Sequence, residues 1–189
     1  MNDLYEAAFK NDSTAITALV AAGADPNAQH PRAGTLPLQL ACEANAIDAI
    51  ETLLKCGAHA DAVFSRVSRV AGREFGDHTP LMCVKSMAAA RLLLDAGAAI
   101  NRADNKGWTA LVCAAHGGDN ELVAFLLKRG ASSNVQLVHD GKRMNLVEFL
   151  ASEIDFLNAN AASLNQPAVS GRVAALSAVR ATITLRAHV

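Results

Sequence analysis

Aromatic side chains are scarce in this sequence: one Trp, one Tyr and six Phe make up 4% of 189 residues. A core with so few rings must be assembled from Ala, Leu, Val and Ile, which points to close-packed helices. Cysteines are few as well, and the spacing of Cys42, Cys56, Cys83 and Cys113 does not suggest a disulfide framework. The start, Met1-Asn2-Asp3-Leu4-Tyr5-Glu6, is acidic and lacks the basic stretch and apolar run of a secretory leader. No uncharged apolar stretch approaches the roughly 20 residues needed to span a bilayer. These absences lead to the expectation of a cytoplasmic protein with reduced thiols and no membrane contact. An excess of either charge is missing too: the formal net charge is −1, so the global charge does not point to a partner. What is present is 51% hydrophobic and 19% charged residues, enough for a buried core and unlike a disordered chain.

The order within the chain is repetitive. An apolar pair followed by Gly-Ala occurs as Leu19-Val20 with Gly23-Ala24, Leu53-Leu54 with Gly57-Ala58, Leu93-Leu94 with Gly97-Ala98 and Leu126-Leu127 with Gly130-Ala131. The glycines stand 34, 40 and 33 residues apart, and Asn27, Asp61, Asn101 and Asn134 each follow one by four positions. A second marker, the leucine opening each repeat, recurs in phase as Leu4, Leu38, Leu81, Leu111 and Leu146. Each repeat therefore reads as a turn, a short helix and a second helix ending at Gly. Proline fits the first turn of a helix, where its missing N–H has no partner to lose. Glycine just past a helix end can take the left-handed conformation that caps it. A unit this small can bury its apolar face only by stacking on a neighbour.

Thr79-Pro80-Leu81-Met82-Cys83-Val84 resembles the Thr-Pro-Leu-His-x-Ala signature of ankyrin repeats, and Asp104-Asn105-Lys106-Gly107-Trp108-Thr109-Ala110-Leu111 through Gly130-Ala131 matches a whole 33-residue ankyrin unit without a gap. The resemblance covers residues 2 to 150 and implies an all-α ankyrin-repeat solenoid of helix-turn-helix units joined by hairpin loops. Units are expected near 2–34, 35–77, 78–103, 104–136 and 137–157, the fifth degenerate. The sequence departs from the family pattern in three places. Unit two reads Thr35-Leu36-Pro37-Leu38, one residue displaced; unit three lacks three residues between its helices; and the connection from Asp61 to Thr79 is about ten residues longer than the norm. Such shortened units are more similar to bacterial ankyrins than to vertebrate ones. In the tail, 158–189, Val169, Val173, Leu176, Val179 and Ile183 trace one face of a helix. It reads as a capping helix over the last repeat, with an amphipathic helix for a partner or membrane as the other reading.

No constellation for chemistry is visible. Cys113 and His116 have the two-residue gap of a metal pair, but a structural zinc site needs four such ligands and no second close pair exists. The six histidines have no Ser or Cys partner in a nucleophile motif, and no phosphate-binding Gly-rich loop occurs. Catalytic residues, metals and cofactors are therefore not expected, and an enzyme is the least supported class.

The resemblance implies binding of a protein partner in a concave groove made by hairpin tips and first helices. The positions it points to are His30, Arg32, Glu43, His78, Met82, Val112, His116, His139 and Arg143, with Arg66, Arg69 and Arg73 in the long connection and Lys106 and Trp108 at the fourth hairpin. Residues 63–78 allow an extended hairpin finger. Trp108, the sole Trp, is expected to project from a hairpin tip toward the partner, because aromatic residues are enriched at interface hot spots. Segments 28–35, 62–78, 102–108 and 135–143 each carry a net charge of +1, while the helical body is acidic. If the tips line up, that edge attracts an acidic surface. The expectation is a monomer when free that inhibits or escorts its partner. A bacterial immunity protein neutralising a toxin is one alternative, by analogy alone. Nucleic-acid binding along the basic edge is another, opposed by the acids scattered among its Arg and Lys.

Overall fold

The computed structural model describes residues 3–31, 33–67, 74–161 and 166–186. Helices follow one another in pairs: α1 (Leu4–Phe9) with α2 (Ser13–Ala21), α3 (Pro37–Glu43) with α4 (Ile47–Lys55), a 3-10 helix (Pro80–Cys83) with α5 (Met87–Asp95), α6 (Ala110–Gly117) with α7 (Asn120–Lys128), and α8 (Leu146–Ala159) with α9 (Gln166–Arg186). Two antiparallel hairpins interrupt the series, β1 (Phe64–Val67) with β2 (Glu74–His78) and β3 (Gln136–His139) with β4 (Lys142–Asn145). The fold is all-α, as the repeat pattern requires. The chain divides into two compact units, residues 1–105 and 106–189.

In the N-terminal unit the marker residues explain themselves. Gly23, Gly57 and Gly97 all have φ between +90° and +98°, so each helix ends in the left-handed turn that only glycine adopts without strain. Four residues later, Asn27 reaches the next repeat: its carbonyl oxygen accepts from His59 N–H at 2.8 Å and its amide donates to Gly57 O at 2.9 Å. Asp61 repeats the contact one unit on, accepting from Ala99 N–H at 3.0 Å. Between the helices, Asn11 accepts from Ala49 N–H at 2.8 Å and donates to the Asp48 carboxylate at 3.0 Å. The opening leucines Leu4, Leu38 and Leu81 are at most 5% exposed, packed with Ile16, Ile50, Leu53 and Leu93 in the core.

Repeats one and two bend between their helices at left-handed Asn11 (φ +60°) and Asn45 (φ +54°). Repeat three does not. The three residues missing there shrink its first helix to a single 3-10 turn, and the chain leaves it extended at Val84. Ser86 then caps α5 through Ala89 N–H and donates its hydroxyl to Asn45 Oδ1 at 2.7 Å. The displaced Pro37 of repeat two takes the first position of α3, where Leu36 has no capping side chain and Gln39 Oε1 accepts from Leu36 N–H at 3.3 Å.

The C-terminal unit packs α6 and α7 side by side and lays α9 against α6, α7 and α8. The apolar stripe of the tail faces inward, with Val169, Leu176, Val179 and Ile183 buried and Val173 half-buried. Helix α8 runs on to Ala159, so hairpin, α8 and α9 follow in the order of a further repeat with a long second helix.

Candidate functional site

The densest meeting of polar and aromatic side chains among the described residues lies in the C-terminal unit, where a turn, a helix end, a hairpin and α8 converge. The turn is built around Gly107, at φ +81°, where a Cβ would stand 2.1 Å from Gln136 O. No other residue fits so close to that backbone. Its neighbour Lys106 accepts a hydrogen bond from Val138 N–H at 2.8 Å, which ties the turn to β3. The next residue, Trp108, is thereby turned inward and is 8% exposed. Its ring meets His116 and Phe149 edge-on, each with centroids 5.4 Å apart. Thr109 then starts α6, its hydroxyl accepting from Val112 N–H at 3.3 Å.

Glu153 sits between two histidines. One carboxylate oxygen is 3.5 Å from His116 Nδ1 and the other 3.4 Å from His139 Nε2, which also lies 3.6 Å from the Asp140 carboxylate. His139 stacks edge-on against Phe149 at 5.0 Å. Arg172 of α9 donates to the backbone oxygen of His116 at 2.6 Å. The arrangement is a half-buried polar knot that fixes α6, β3, α8 and α9 relative to one another. It leaves the His116 side chain 39% exposed at its rim. On the hairpin beside it, Lys142 and Arg143 are exposed and Val138 is 37% exposed.

Several of the residues singled out in the sequence lie elsewhere than expected. Trp108 does not project from a tip: the Lys106–Val138 bond and the Gly107 approach fold it under the hairpin. Met82 and Val112 are 6% and 0% exposed because the short first helices that carry them are packed inward, so neither offers a contact. His78 is also buried, 3.4 Å from the fully buried Asp104 carboxylate and edge-on to Phe64. His30 is half-buried against Tyr5, whose hydroxyl donates to Ala28 O at 3.0 Å. Glu43 accepts from Gln39 on the same helix at 2.9 Å. Arg32, Arg69 and Arg73 lie outside the described residues, and Arg66 falls on β1, in register with Phe75 of β2. The long connection does form hairpin strands. Within the C-terminal unit the structure brings together Lys106, Trp108, His116, His139 and Arg143.

Glu153, Phe149 and Arg172 went unread in the sequence. The first two are one helical turn apart on α8, and that spacing was the available signal. In the N-terminal unit, burial raises the Cys42 thiol well above its ordinary pKa, with Cys83 and Glu43 adding to the shift. Such a thiol is not a nucleophile. No helix among the described residues is long and apolar enough to cross a membrane.

Residues 65–136 match the family model described as ankyrin repeats in three copies. The chain is also similar to the neurogenic locus notch homolog protein 2 of Homo sapiens and of Mus musculus, each 29% identical over 163 residues. The match takes in 72% of this chain but only 7% of either relative's length.

Proposed function

The chain is an ankyrin-repeat protein, and from that premise we propose that it holds a partner protein and thereby inhibits or escorts it. Ankyrin repeats are in general protein–protein interaction modules, and the rigid presentation of a charged hairpin carries the reading for this chain. The β3–β4 hairpin is fastened to the 106–108 turn by the Val138–Lys106 bond and braced beneath by Trp108, Phe149 and the Glu153 knot. Little motion is left to freeze when a partner arrives, so little of the contact energy goes into ordering the loop. Exposed Lys142 and Arg143 give that surface a positive field, which favours an acidic partner and speeds encounter.

The test is a pull-down from lysate of the native source with wild type, a Lys142→Glu/Arg143→Glu double variant and Lys10→Glu as a control in the N-terminal unit. One stable protein should be retained by wild type and control and lost by the double variant. If it stays on all three, the binding face lies elsewhere. Adding the purified partner's own activity assay, with and without the chain, distinguishes inhibition from escort.

A further inference from the structure

The hairpins of this protein do not end as isolated pairs. In the N-terminal unit, the outer edge of β2 is taken up by the turn that follows α5: Asn105 N–H donates to Gly76 O at 3.2 Å. In the C-terminal unit the hairpin is likewise engaged on one side, through Val138 N–H and Lys106 O. Its other side is different. Among the described residues no later turn is bonded to the outer edge of β4.

Register tells which backbone groups that leaves. Asp140 and Gly141, at φ +49° and +75°, make a two-residue turn between His139 and Lys142. In an antiparallel pair, residues alternate between those that exchange both bonds with the partner strand and those whose N–H and C=O point away from it. Val138 is of the second kind, since its N–H reaches Lys106. Its register partner is Arg143. Arg143 therefore points its N–H and C=O out of the opposite edge, and among the described residues no backbone group takes them up. The edge closes two residues later, where Asn145 N–H is held by the Glu148 carboxylate at 2.9 Å.

We propose that this open edge of β4 accepts an extended acidic segment of a partner protein as an added strand, with Arg143 as the backbone anchor. The inference rests on the protein-holding reading above and names the form of the partner. Charge selects the occupant. Lys142 and Arg143 are exposed at the edge, with Asp140 in the turn on one side and Glu148 beyond Asn145 on the other, so a strand is attracted where its carboxylates face Lys142 and Arg143. A second copy of this chain is opposed, because pairing β4 with itself sets Arg143 against Arg143 and like charges directly across a ladder repel.

The probe is a fluorescein-labelled peptide of alternating Glu and Val, titrated with the whole protein and followed by anisotropy. Two N-methylated versions, each blocking alternate amides, separate strand pairing from charge attraction. The parent peptide should bind, Arg143→Glu should weaken it by about tenfold or more, and Arg143→Lys should hold within about threefold of wild type, a tenfold change being about 1.4 kcal/mol. One N-methylated version should lose binding and the other keep it. Circular dichroism melts confirm that the variants fold. If both methylated peptides bind like the parent, charge alone is at work and strand addition is wrong. If Arg143→Glu binds normally, the edge is elsewhere. If sedimentation shows a dimer that the peptide breaks, the occupant is a second copy. Should no peptide bind while the pull-down partner still depends on Lys142 and Arg143, the protein-holding reading stands and the strand does not.

Discussion

Repeats three and four begin alike and then diverge. Thr79 and Thr109 both enter in extended conformation, at φ −114° and −111°, and both are followed two residues on by a buried leucine. Both repeats also end in a nine-residue second helix, α5 or α7. Between those points, repeat four has an eight-residue helix with a threonine cap and a left-handed Gly118 at its end. Repeat three has a four-residue 3-10 turn with neither. The stack tolerates this because its anchors are the inward leucine and the second helix, which repeat three keeps. The first helix is the expendable part. Its reduction coincides with the longest connection in the chain, so repeat three has lost helix on one side and gained hairpin on the other.

The comparison can be broken most forcefully at the leucines. Leu111→Ala should destabilise the C-terminal unit by about 2–5 kcal/mol, the usual range for a fully buried leucine. Leu81→Ala should fall at the low end of that range, because a single 3-10 turn settles into the vacated space more readily than a continuous helix. Urea unfolding of the two variants decides it; equal losses mean that the 3-10 turn is as firmly held as α6. A smaller effect belongs to the caps. Thr109→Ala should cost about 1 kcal/mol by removing the bond to Val112 N–H. Thr79→Ala, which has no cap bond to lose, should cost less in the same experiment. Smallest in energy is the thiol contrast. Cys56 and Cys113 are half-buried whereas Cys42 and Cys83 are buried, so an aromatic disulfide reagent at neutral pH should label Cys56 and Cys113 first. Burial raises the Cys42 thiol above its unfolded value, so the unfolded chain loses that proton more easily. Stability should therefore decline as pH rises past the ordinary thiol range near 9, and Cys42→Ala should flatten that decline.

The array was legible because its markers are backbone constraints. A left-handed glycine, a proline at a helix start and an Asn that hooks the next repeat must recur wherever the same turn recurs, and recurrence is what a sequence displays. The inward stripe of α9 was legible for the same reason, through its helical spacing. The site was less so. Trp108 looked like a tip residue because its position in the family pattern is a tip; what folds it under is the Gly107 approach to Gln136, a contact between segments nearly thirty residues apart. Glu153 escaped because its repeat lacks the opening signature, and its two histidines come from different elements. Met82 and Val112 occupy first-helix positions whose outward or inward aim depends on a rotation of the helix that composition does not record.

Trp108 has a consequence beyond packing. As the sole tryptophan it is the protein's one intrinsic beacon at long wavelength, and it is mounted against an imidazole and a phenyl ring directly under the charged hairpin. Its emission colour and brightness therefore register how firmly that hairpin is seated, without any dye attached. Anything that lifts or clamps the hairpin writes its own optical trace, at the one place in the chain where a partner is proposed to land.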